Sequence, residues 1–351
     1  MTTATTTTTL QEQYLQLKQQ KPQLRIRDAA ITLGVSELEL LELNLGKNVT
    51  RLSGDCKEML KDMKQLGYVM ALTRNEYAVH ERKGVYDNIS FMAEGKMGVA
   101  VNDDIDLRFF MMHWHHAYAA KVVADPKRTL YSFQFFNARG HAVHKVYLTA
   151  QSEPEAYNTI VNKYRANDQK SFTIVNNHPV VKNEILSDDK IDVTAFQQHW
   201  LGLQDTHDFF SMLKKYQVTR TQAMRLAPEG YVRKLSNDAI VQMLHLASER
   251  QVPIMVFVGN DGCIQIHTGK VNKIVPMEGW INVMDPKFNL HLKLEGIAAI
   301  WETRKPTKDG IVTGIEVFDA EGELIVYCFG KRKPGIPELQ DWRDLVNELI
   351  W

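Results

Sequence analysis

The segment Val49-Thr50-Arg51-Leu52-Ser53-Gly54-Asp55 has a second copy in Val232-Arg233-Lys234-Leu235-Ser236-Asn237-Asp238, and this repetition decides the fold. The copies are offset by 232 − 49 = 183 positions. Further along, Phe136 to Gly140 matches Phe318 to Gly322 at an offset of 318 − 136 = 182. An offset that is kept over this span indicates an internal duplication, in which one structural unit is written twice.

Outward from these copies, each half has helical patterns first and strand patterns afterwards. The first half has helical patterns at Leu10–Gln20, Ile26–Leu33, Ser36–Leu45 and Asp55–Leu66, and strand patterns at Tyr68–Val79, Ser90–Met92 and Asp106–Phe110. A hairpin is expected where Ser132–Phe136 and Ala142–Leu148 flank the turn residues Asn137–Gly140. A last helix, Pro154–Ala166 or Pro337–Ile350, closes each half.

This order of elements predicts an α+β fold, a tandem duplication in which each half is a mostly antiparallel sheet with flanking helices. We expect a disordered Thr-rich tail at 1–9, a first repeat at 10–180 and a second repeat at 181–351. The seam between the repeats is expected between Asn176 and Asp192.

Composition narrows the class of protein. Lys plus Arg and Asp plus Glu both number 42, so the formal net charge is zero, which argues against nucleic acid or an anionic membrane as a general partner. The three cysteines are scattered, as is typical of proteins in a reducing cytoplasm. No secretory signal and no run of 18 apolar residues occurs, so we expect a cytoplasmic protein without membrane insertion.

The sequence contains none of the common catalytic motifs that would identify an enzyme class. It has no GxGxxG, Walker-A, HExxH or GxSxG sequence, so reducing equivalents, if used, would come from a diffusible donor or a partner. Ile26–Glu37 resembles a helix-turn-helix, but its second helix would carry Glu37, Glu39 and Glu42. Because carboxylates repel phosphate, a structural helix pair is the better interpretation.

Three segments carry a family resemblance: Met255-Val256-Phe257-Val258-Gly259-Asn260-Asp261-Gly262-Cys263-Ile264-Gln265-Ile266-His267-Thr268-Gly269, Arg74–Glu81 and Thr303–Thr307. With them, the chain from about Leu10 to its C-terminus closely resembles the cytoplasmic haem-degrading and haem-trafficking proteins of Gram-negative bacteria, the HemS/ChuS/HmuS family. The resemblance implies two pseudo-symmetric halves of sheet and helix, with haem bound in a cleft between elements of both.

His207 is the candidate metal ligand. Asp205 or Thr206 is a good N-cap, which would place His207 in the first turn of a helix, where the positive helix end disfavours imidazolium. On these residues alone, a capped surface histidine is the better interpretation. The resemblance instead implies that His207 is the axial haem ligand. The position 207 − 183 = 24 holds Leu24, so the first repeat has no such ligand and one haem is expected.

Arg108 is the candidate catalytic residue. Strand alternation puts Arg108 and Phe110 on one face of a sheet, where an arginine commonly pairs with a cross-strand carboxylate. The resemblance implies that Arg108 faces the iron opposite the histidine, where a guanidinium can hydrogen-bond an oxygen ligand of the iron. Its counterpart in the second repeat is His291, so this position is asymmetric too.

The resemblance also implies a binding pocket. Arg220, Lys305 and Arg332 match residues near the haem propionates, although each one read singly is a solvated surface charge. Met255, Phe257, Phe110, Tyr327 and Phe329 match pocket walls, although ordinary core packing looks the same in sequence. Relatives can carry glutamine at position 327 and tyrosine at 329, which leaves the hydrogen bonding of that wall open. His80 matches a secondary haem contact, or is a half-exposed strand residue.

The sequence therefore predicts a cytoplasmic haem-binding protein that opens the porphyrin ring and releases iron for iron acquisition. Haem would be substrate and cofactor together, NAD(P)H is a possible external electron donor, and a haem importer and a reductase are candidate partners. The alternative is a non-enzymatic chaperone that passes imported haem on, and Arg108 is the residue that discriminates the two. A DNA-binding module is a third class, suggested only by the weak helix-turn-helix likeness.

Overall fold

The structure is a computed structural model that describes residues 8–125, 128–170, 185–333 and 335–350. The predicted tail lies outside these ranges except for residues 8 and 9, and so does most of the predicted seam.

The helices begin and end close to the sequence signals. Thr9, Ser36 and Thr219 each cap a helix by accepting from the backbone N–H three residues later, whose Glu or Gln side chain bonds back. The α-helices are α1 Leu10–Gln20, α2 Ile26–Leu33, α3 Glu37–Glu42, α4 Cys56–Asp62, α5 Pro154–Tyr164, α6 Val193–Leu201, α7 Asp208–Tyr216, α8 Arg220–Leu226, α9 Ala239–Glu249 and α10 Gln340–Asn347.

The strands of the first repeat are β1 Val49–Leu52, β2 Gly67–Arg74, β3 Ala78–Val85, β4 Ile89–Met92, β5 Met97–Val101, β6 Asp106–Phe110, β7 His116–Asp125, β8 Arg128–Phe136 and β9 Ala142–Ser152. Those of the second are β10 Val232–Leu235, β11 Ile254–Gly259, β12 Cys263–Gly269, β13 Ile274–Met277, β14 Trp280–Met284, β15 Phe288–Lys293, β16 Ala299–Thr307, β17 Gly310–Phe318 and β18 Leu324–Gly330.

The single strand expected at Tyr68–Val79 is wrong, because a turn divides it into β2 and β3. The Asn75 side chain accepts hydrogen bonds from the backbone N–H groups of Tyr77 and Ala78, which closes the turn. The helix expected at Ser36–Leu45 is also shorter, since α3 ends at Glu42.

Within the described ranges the strands form two nine-stranded antiparallel sheets, and the repeats exchange strands. One sheet has the order β1-β7-β8-β9-β2-β3-β15-β14-β13, and the other has the order β10-β16-β17-β18-β11-β12-β6-β5-β4. The strands β4 to β6 thus leave the first repeat and extend the sheet of the second, while β13 to β15 do the reverse. The α+β duplication is confirmed, and each sheet belongs to both repeats.

The core follows from this exchange. One large apolar cluster joins Ala78 of the first repeat to Ile281, Phe288 and Leu290 of the second. A second cluster joins Cys263 of the second repeat to Phe109 and other side chains of the first. No helix in the described part of the chain is long and apolar enough to span a membrane.

Candidate functional site

One face of the second sheet brings most of the predicted site residues together. Arg108 on β6 lies opposite Ile264 on β12, and Ile264 lies opposite Gly259 on β11. Phe257, two residues before Gly259, lies opposite Tyr327 on β18. Because directly opposed residues of antiparallel strands share a face, as do residues two apart, Arg108 and the aromatic residues lie on one face. We call this surface the candidate face; its predicted members are Arg108, Phe110, Met255, Phe257, Lys305, Tyr327 and Phe329.

Arg108 reaches the candidate face only because β6 has been exchanged into this sheet. Its side chain is 35% exposed and forms an ion pair with Asp106, two residues earlier on the same face. One terminal nitrogen also donates to the carbonyl of Leu107 at 3.1 Å. The carboxylate partner therefore comes from its own strand rather than from a neighbouring one, and it holds a guanidinium that remains accessible.

A buried carboxylate, Glu316 on β17, lies opposite Tyr327 on the candidate face and binds two of the predicted cations. Its Oε1 accepts from the Lys305 Nζ at 2.6 Å, and its Oε2 pairs with the Nε of Arg220. Burial raises the pKa of Glu316, but the two cations overcome this and hold it at about 2. Burial lowers the pKa of Lys305 to about 8, against the opposing charge of Glu316. The carboxylate is thus ionised and fixed at neutral pH.

Lys305 is buried and is not the solvated surface charge that its sequence position, read singly, predicts. The residue is 1% exposed, and its Nζ also donates to the Tyr327 hydroxyl at 2.9 Å. The reason is that alternation on β16 turns Lys305 towards Glu316 instead of solvent. In this conformation Lys305 supports the site from inside.

Arg220 is the cation that is both anchored and accessible. It occupies the first position of α8, which the Thr219 cap fixes. Its guanidinium lies 5.2 Å from the centroid of the Tyr327 ring, and its side chain is 27% exposed. Within the described residues its two terminal nitrogens donate no hydrogen bond, so Glu316 orients the group and leaves its outer donors open.

The structure shows how the wall is hydrogen-bonded with tyrosine at position 327 and phenylalanine at position 329. The Tyr327 hydroxyl is turned inward as the acceptor for Lys305, and the ring centroids of Tyr327 and Phe329 are 4.0 Å apart. Phe257 packs edge-on against Phe329 at 5.4 Å. Met255 and Phe257 are only partly buried, so the wall presents apolar surface while its hydroxyl is satisfied internally.

His207 lies at the start of α7, as the N-cap residue rather than in the first turn as expected. Its side chain is 91% exposed, and its Nδ1 lies 2.6 Å from the Asp205 Oδ1, which also accepts from the His207 backbone N–H. That backbone hydrogen bond lowers the pKa of Asp205, and Arg332 adds to the effect. A carboxylate at Nδ1 favours the tautomer whose Nε2 lone pair is free for a metal.

The helix α7 is tied to the cation cluster through Phe209. This ring is 2% exposed and lies 4.2 Å from the Lys305 Nζ and 4.8 Å from the Trp200 ring. The neighbouring Phe210 is 72% exposed. Of the two phenylalanines after His207, one therefore anchors the helix and only the other offers apolar surface to a ligand.

The third predicted cation, Arg332, follows β18. Its nearest carboxylate is Asp309, at 3.9 Å, and its side chain is 17% exposed. Arg332 also contributes to the low pKa of Asp205, the carboxylate that contacts His207. Its loose pairing leaves it able to bind an anion.

The first repeat lacks this arrangement. The position of Arg220 is taken by Glu37, at 220 − 183 = 37, and that of Tyr327 by Lys145, at 327 − 182 = 145. Glu37 and Lys145 form a closed, buried ion pair with each other. Glu42, also on α3, is buried and pairs with Arg51. These carboxylates therefore form ion pairs within the fold, which agrees with a structural helix pair. The candidate site is therefore asymmetric.

His80 does not belong to the candidate face. It is 0% exposed, which corrects the expectation of a half-exposed strand residue. Its ring lies 4.9 Å from Phe288, and burial lowers its pKa well below the usual value. His80 lies opposite Leu290 on β15, and the same exchanged strand supplies Phe288, so His80 is closed to a ligand in this conformation.

Three contributors escaped the sequence analysis. Glu316 was detectable as a lone carboxylate within the apolar run Ile315–Phe318, which signals a buried counter-ion. The sequence indicates Asp205 only as a helix cap, and it does not mark Phe209 as the residue that joins α7 to the cations. The exchange of strands has no local signal. Taken together, the site can hold a flat apolar ligand with carboxylates at one edge and a metal near an imidazole.

Comparison with known proteins identifies the class. The model of the haemin-degrading HemS.ChuX domain matches twice, at residues 34–164 and 217–349. These matches cover more than half of the chain, one in each repeat, so the chain belongs to this family.

Individual relatives match over nearly the whole chain. The hemin transport protein HmuS of Yersinia pestis is 36% identical over 348 residues, which is 97% of each chain. The crystal structure of holo-PhuS, a heme-binding protein from Pseudomonas aeruginosa, is 45% identical, covers 96% of each chain and has a TM-score of 0.92. The Escherichia coli O157:H7 heme degrading enzyme ChuS is 36% identical, covers 97% of this chain and 98% of its own, and has a TM-score of 0.87.

Proposed function

We propose that this protein binds one haem with His207 as the axial ligand, and that it is a cytoplasmic haem-degrading enzyme for iron acquisition. The observation that carries the proposal is the His207–Asp205 pair, an exposed imidazole whose Nδ1 is held at 2.6 Å by a carboxylate. Haem-binding and heme-degrading relatives at 36–45% identity support it.

The cations would fix the orientation of the haem. Arg220 has free outer donors and Arg332 is only loosely paired, so both can bind propionates. Lys305 would act behind them, because its charge neutralises Glu316 and so keeps that carboxylate from repelling the propionates. Phe257, Met255, Phe329 and Phe110 would pack on the porphyrin, with Tyr327 closing the wall from inside.

Arg108 would supply the catalytic step that separates degradation from binding. Bound haem supplies the redox-active iron and the ring that is opened. The guanidinium of Arg108, held by Asp106, is always charged and would stabilise negative charge that develops beside it. Electrons would come from an external donor such as NAD(P)H, delivered directly or through a reductase.

The second candidate function is a non-enzymatic chaperone that accepts haem from an importer and passes it on. One observation favours it: the His207 side chain is 91% exposed, so the ligand can be reached by an acceptor protein. The Yersinia pestis relative is named a hemin transport protein. The two functions share His207 and the cations and differ at Arg108.

An absorbance time course tests the proposal. The full-length protein is loaded with one equivalent of hemin and given a reductant, with and without dioxygen, with catalase present to remove free peroxide. Degradation predicts loss of the Soret band and an open-chain product. A stable band that transfers to apomyoglobin would instead establish the chaperone.

The Arg108 variants sharpen this test. Arg108→Ala is expected to keep hemin affinity within about tenfold, or ~1.4 kcal/mol, while ring-opening turnover falls about 10²–10³-fold. Arg108→Lys keeps the charge but loses the fork of donors, so it should recover only part of the rate. Equal turnover of the wild type and Arg108→Ala at matched haem occupancy would reject the catalytic role.

A further inference from the structure

A groove in the first repeat, remote from the candidate face in the fold, contains cations without counter-ions. It lies between β1, β7 and α5 and has a volume of about 330 Å³. Its charged lining residues are Lys47, Lys121 and Arg165, and none of these forms an ion pair with a carboxylate among the described residues. The side-chain amides of Asn48, Asn158 and Asn162 line it as well.

The second repeat provides an internal comparison, because it has a groove between β16, β17 and α10 that is lined by Glu302 and Arg304. There Glu302, which is 1% exposed, pairs with Arg233 at 2.7 Å and with Arg304 at 2.8 Å. The charges of Arg233 and Arg304 are thus balanced by a buried carboxylate that both contact.

The equivalent positions of the first repeat lack this carboxylate. Glu302 corresponds to Ala119 (302 − 183 = 119), Arg233 to Thr50 (233 − 183 = 50) and Arg304 to Lys121 (304 − 183 = 121). Thr50 and Ala119 still lie directly opposite each other, as Arg233 and Glu302 do. The first repeat therefore has the same strand pairing and one of the cations, but two small side chains where the second repeat has an ion pair.

We propose that this groove binds a small molecule that carries a multivalent oxyanion, such as a pyrophosphate or a polycarboxylate. Three cations can share one anion that each alone would bind weakly in water, and the asparagine amides add neutral donors at its rim. The backbone N–H of Lys121 donates to the carbonyl of Asn48 at 2.8 Å, which fixes two of the lining residues relative to each other. A groove of this volume is in the range of small-ligand sites.

The test is calorimetric titration of the full-length, haem-free protein with pyrophosphate and, in a second arm, with citrate. Binding of either at low ionic strength, weakening as salt is added, is expected, and the tighter arm identifies the source of the oxyanion. Lys121→Gln, an exposed position that should not disturb folding, is expected to weaken binding about tenfold.

A double variant transplants the ion pair of the second repeat. Thr50→Arg with Ala119→Glu leaves the net charge of the groove unchanged but should weaken binding, because the new carboxylate would pair with Lys121 as Glu302 pairs with Arg304. Arg304→Gln is the matched control, since Arg304 is already paired with Glu302, and it should bind like the wild type.

Absence of binding in both arms would overturn the proposal, and so would equal losses in Lys121→Gln and Arg304→Gln. A random DNA duplex that binds more tightly than pyrophosphate, and loses affinity with Lys121→Gln, would overturn the assignment to a small molecule. None of these outcomes depends on haem, so the test is independent of the proposed function.

Discussion

Arg108 and Ile264 lie directly opposite each other on antiparallel strands, although they belong to different repeats. The exchange of β4 to β6 produces this pairing and carries Arg108 to the face that holds Phe257 and Tyr327. The candidate catalytic residue and the cation cluster therefore meet only when both repeats are present.

The first prediction concerns this dependence on both repeats. Residues 10–180 and 181–351, produced separately, should each fail to unfold cooperatively, because each would expose the sheet edge that the other repeat covers. Mixed during refolding, they should recover the circular dichroism and hemin binding of the intact chain. A cooperative thermal transition in either isolated half would contradict the prediction.

The duplication could be predicted from the sequence, but the exchange of strands between the repeats could not. Alternation correctly put Arg108 and Phe110 on one face, because side chains on a strand point to alternate sides. It could not tell which sheet β6 joins, since a strand pattern identifies the buried face and not the partner strand. Lys305 shows the same limit, because its burial depends on Glu316 on the neighbouring strand.

The second prediction concerns Asp205. Asp205→Asn should weaken the hold on the His207 Nδ1 and reduce the donor strength of Nε2, so haem should dissociate up to about tenfold faster. The iron–histidine stretching frequency in the ferrous protein should fall as well. Asp205→Glu should restore part of both.

Asp208→Asn is the matched control for Asp205, because its carboxylate accepts from the Asp205 backbone and does not touch the imidazole. If both asparagine variants change the stretching frequency equally, the effect belongs to the helix start and not to the ligand. His207→Ala should lose the iron–histidine stretching band, since the equivalent position of the first repeat is Leu24 and supplies no substitute ligand.

The third prediction separates the cations. Arg220→Ala and Arg332→Ala should each weaken hemin binding by roughly 1–3 kcal/mol, and the dimethyl ester of haem should erase the difference from wild type. Removal of either partner of Glu316 should lower the free energy of unfolding, and for Lys305→Met we expect about 3–5 kcal/mol. Unlike Arg220→Ala, Lys305→Met should keep the wild-type difference between haem and its dimethyl ester, because Lys305 is buried behind the binding surface. If the dimethyl ester erases the difference from wild type as fully for Lys305→Met as for Arg220→Ala, Lys305 contacts a propionate directly.

The fourth prediction concerns the pH dependence of stability that Glu316 produces. The folded-state pKa of Glu316 is about 2, below its ordinary value of 4.5, so the unfolded chain binds its proton more tightly. Its contribution to the free energy of unfolding is therefore complete above about pH 4.5 and is lost as the pH falls towards about 2. Urea unfolding of the wild type and Glu316→Gln measures this contribution at each pH.

The difference in stability between the wild type and Glu316→Gln should be largest near neutral pH and shrink steadily below about pH 4.5. Glu321→Gln is the control, because the Glu321 carboxylate is exposed and forms no ion pair in the described part of the chain. Its stability should follow that of the wild type at every pH. A Glu316→Gln difference that stays constant across this range would mean that the variant acts through packing, and that Arg220 and Lys305 do not hold an ionised carboxylate between them.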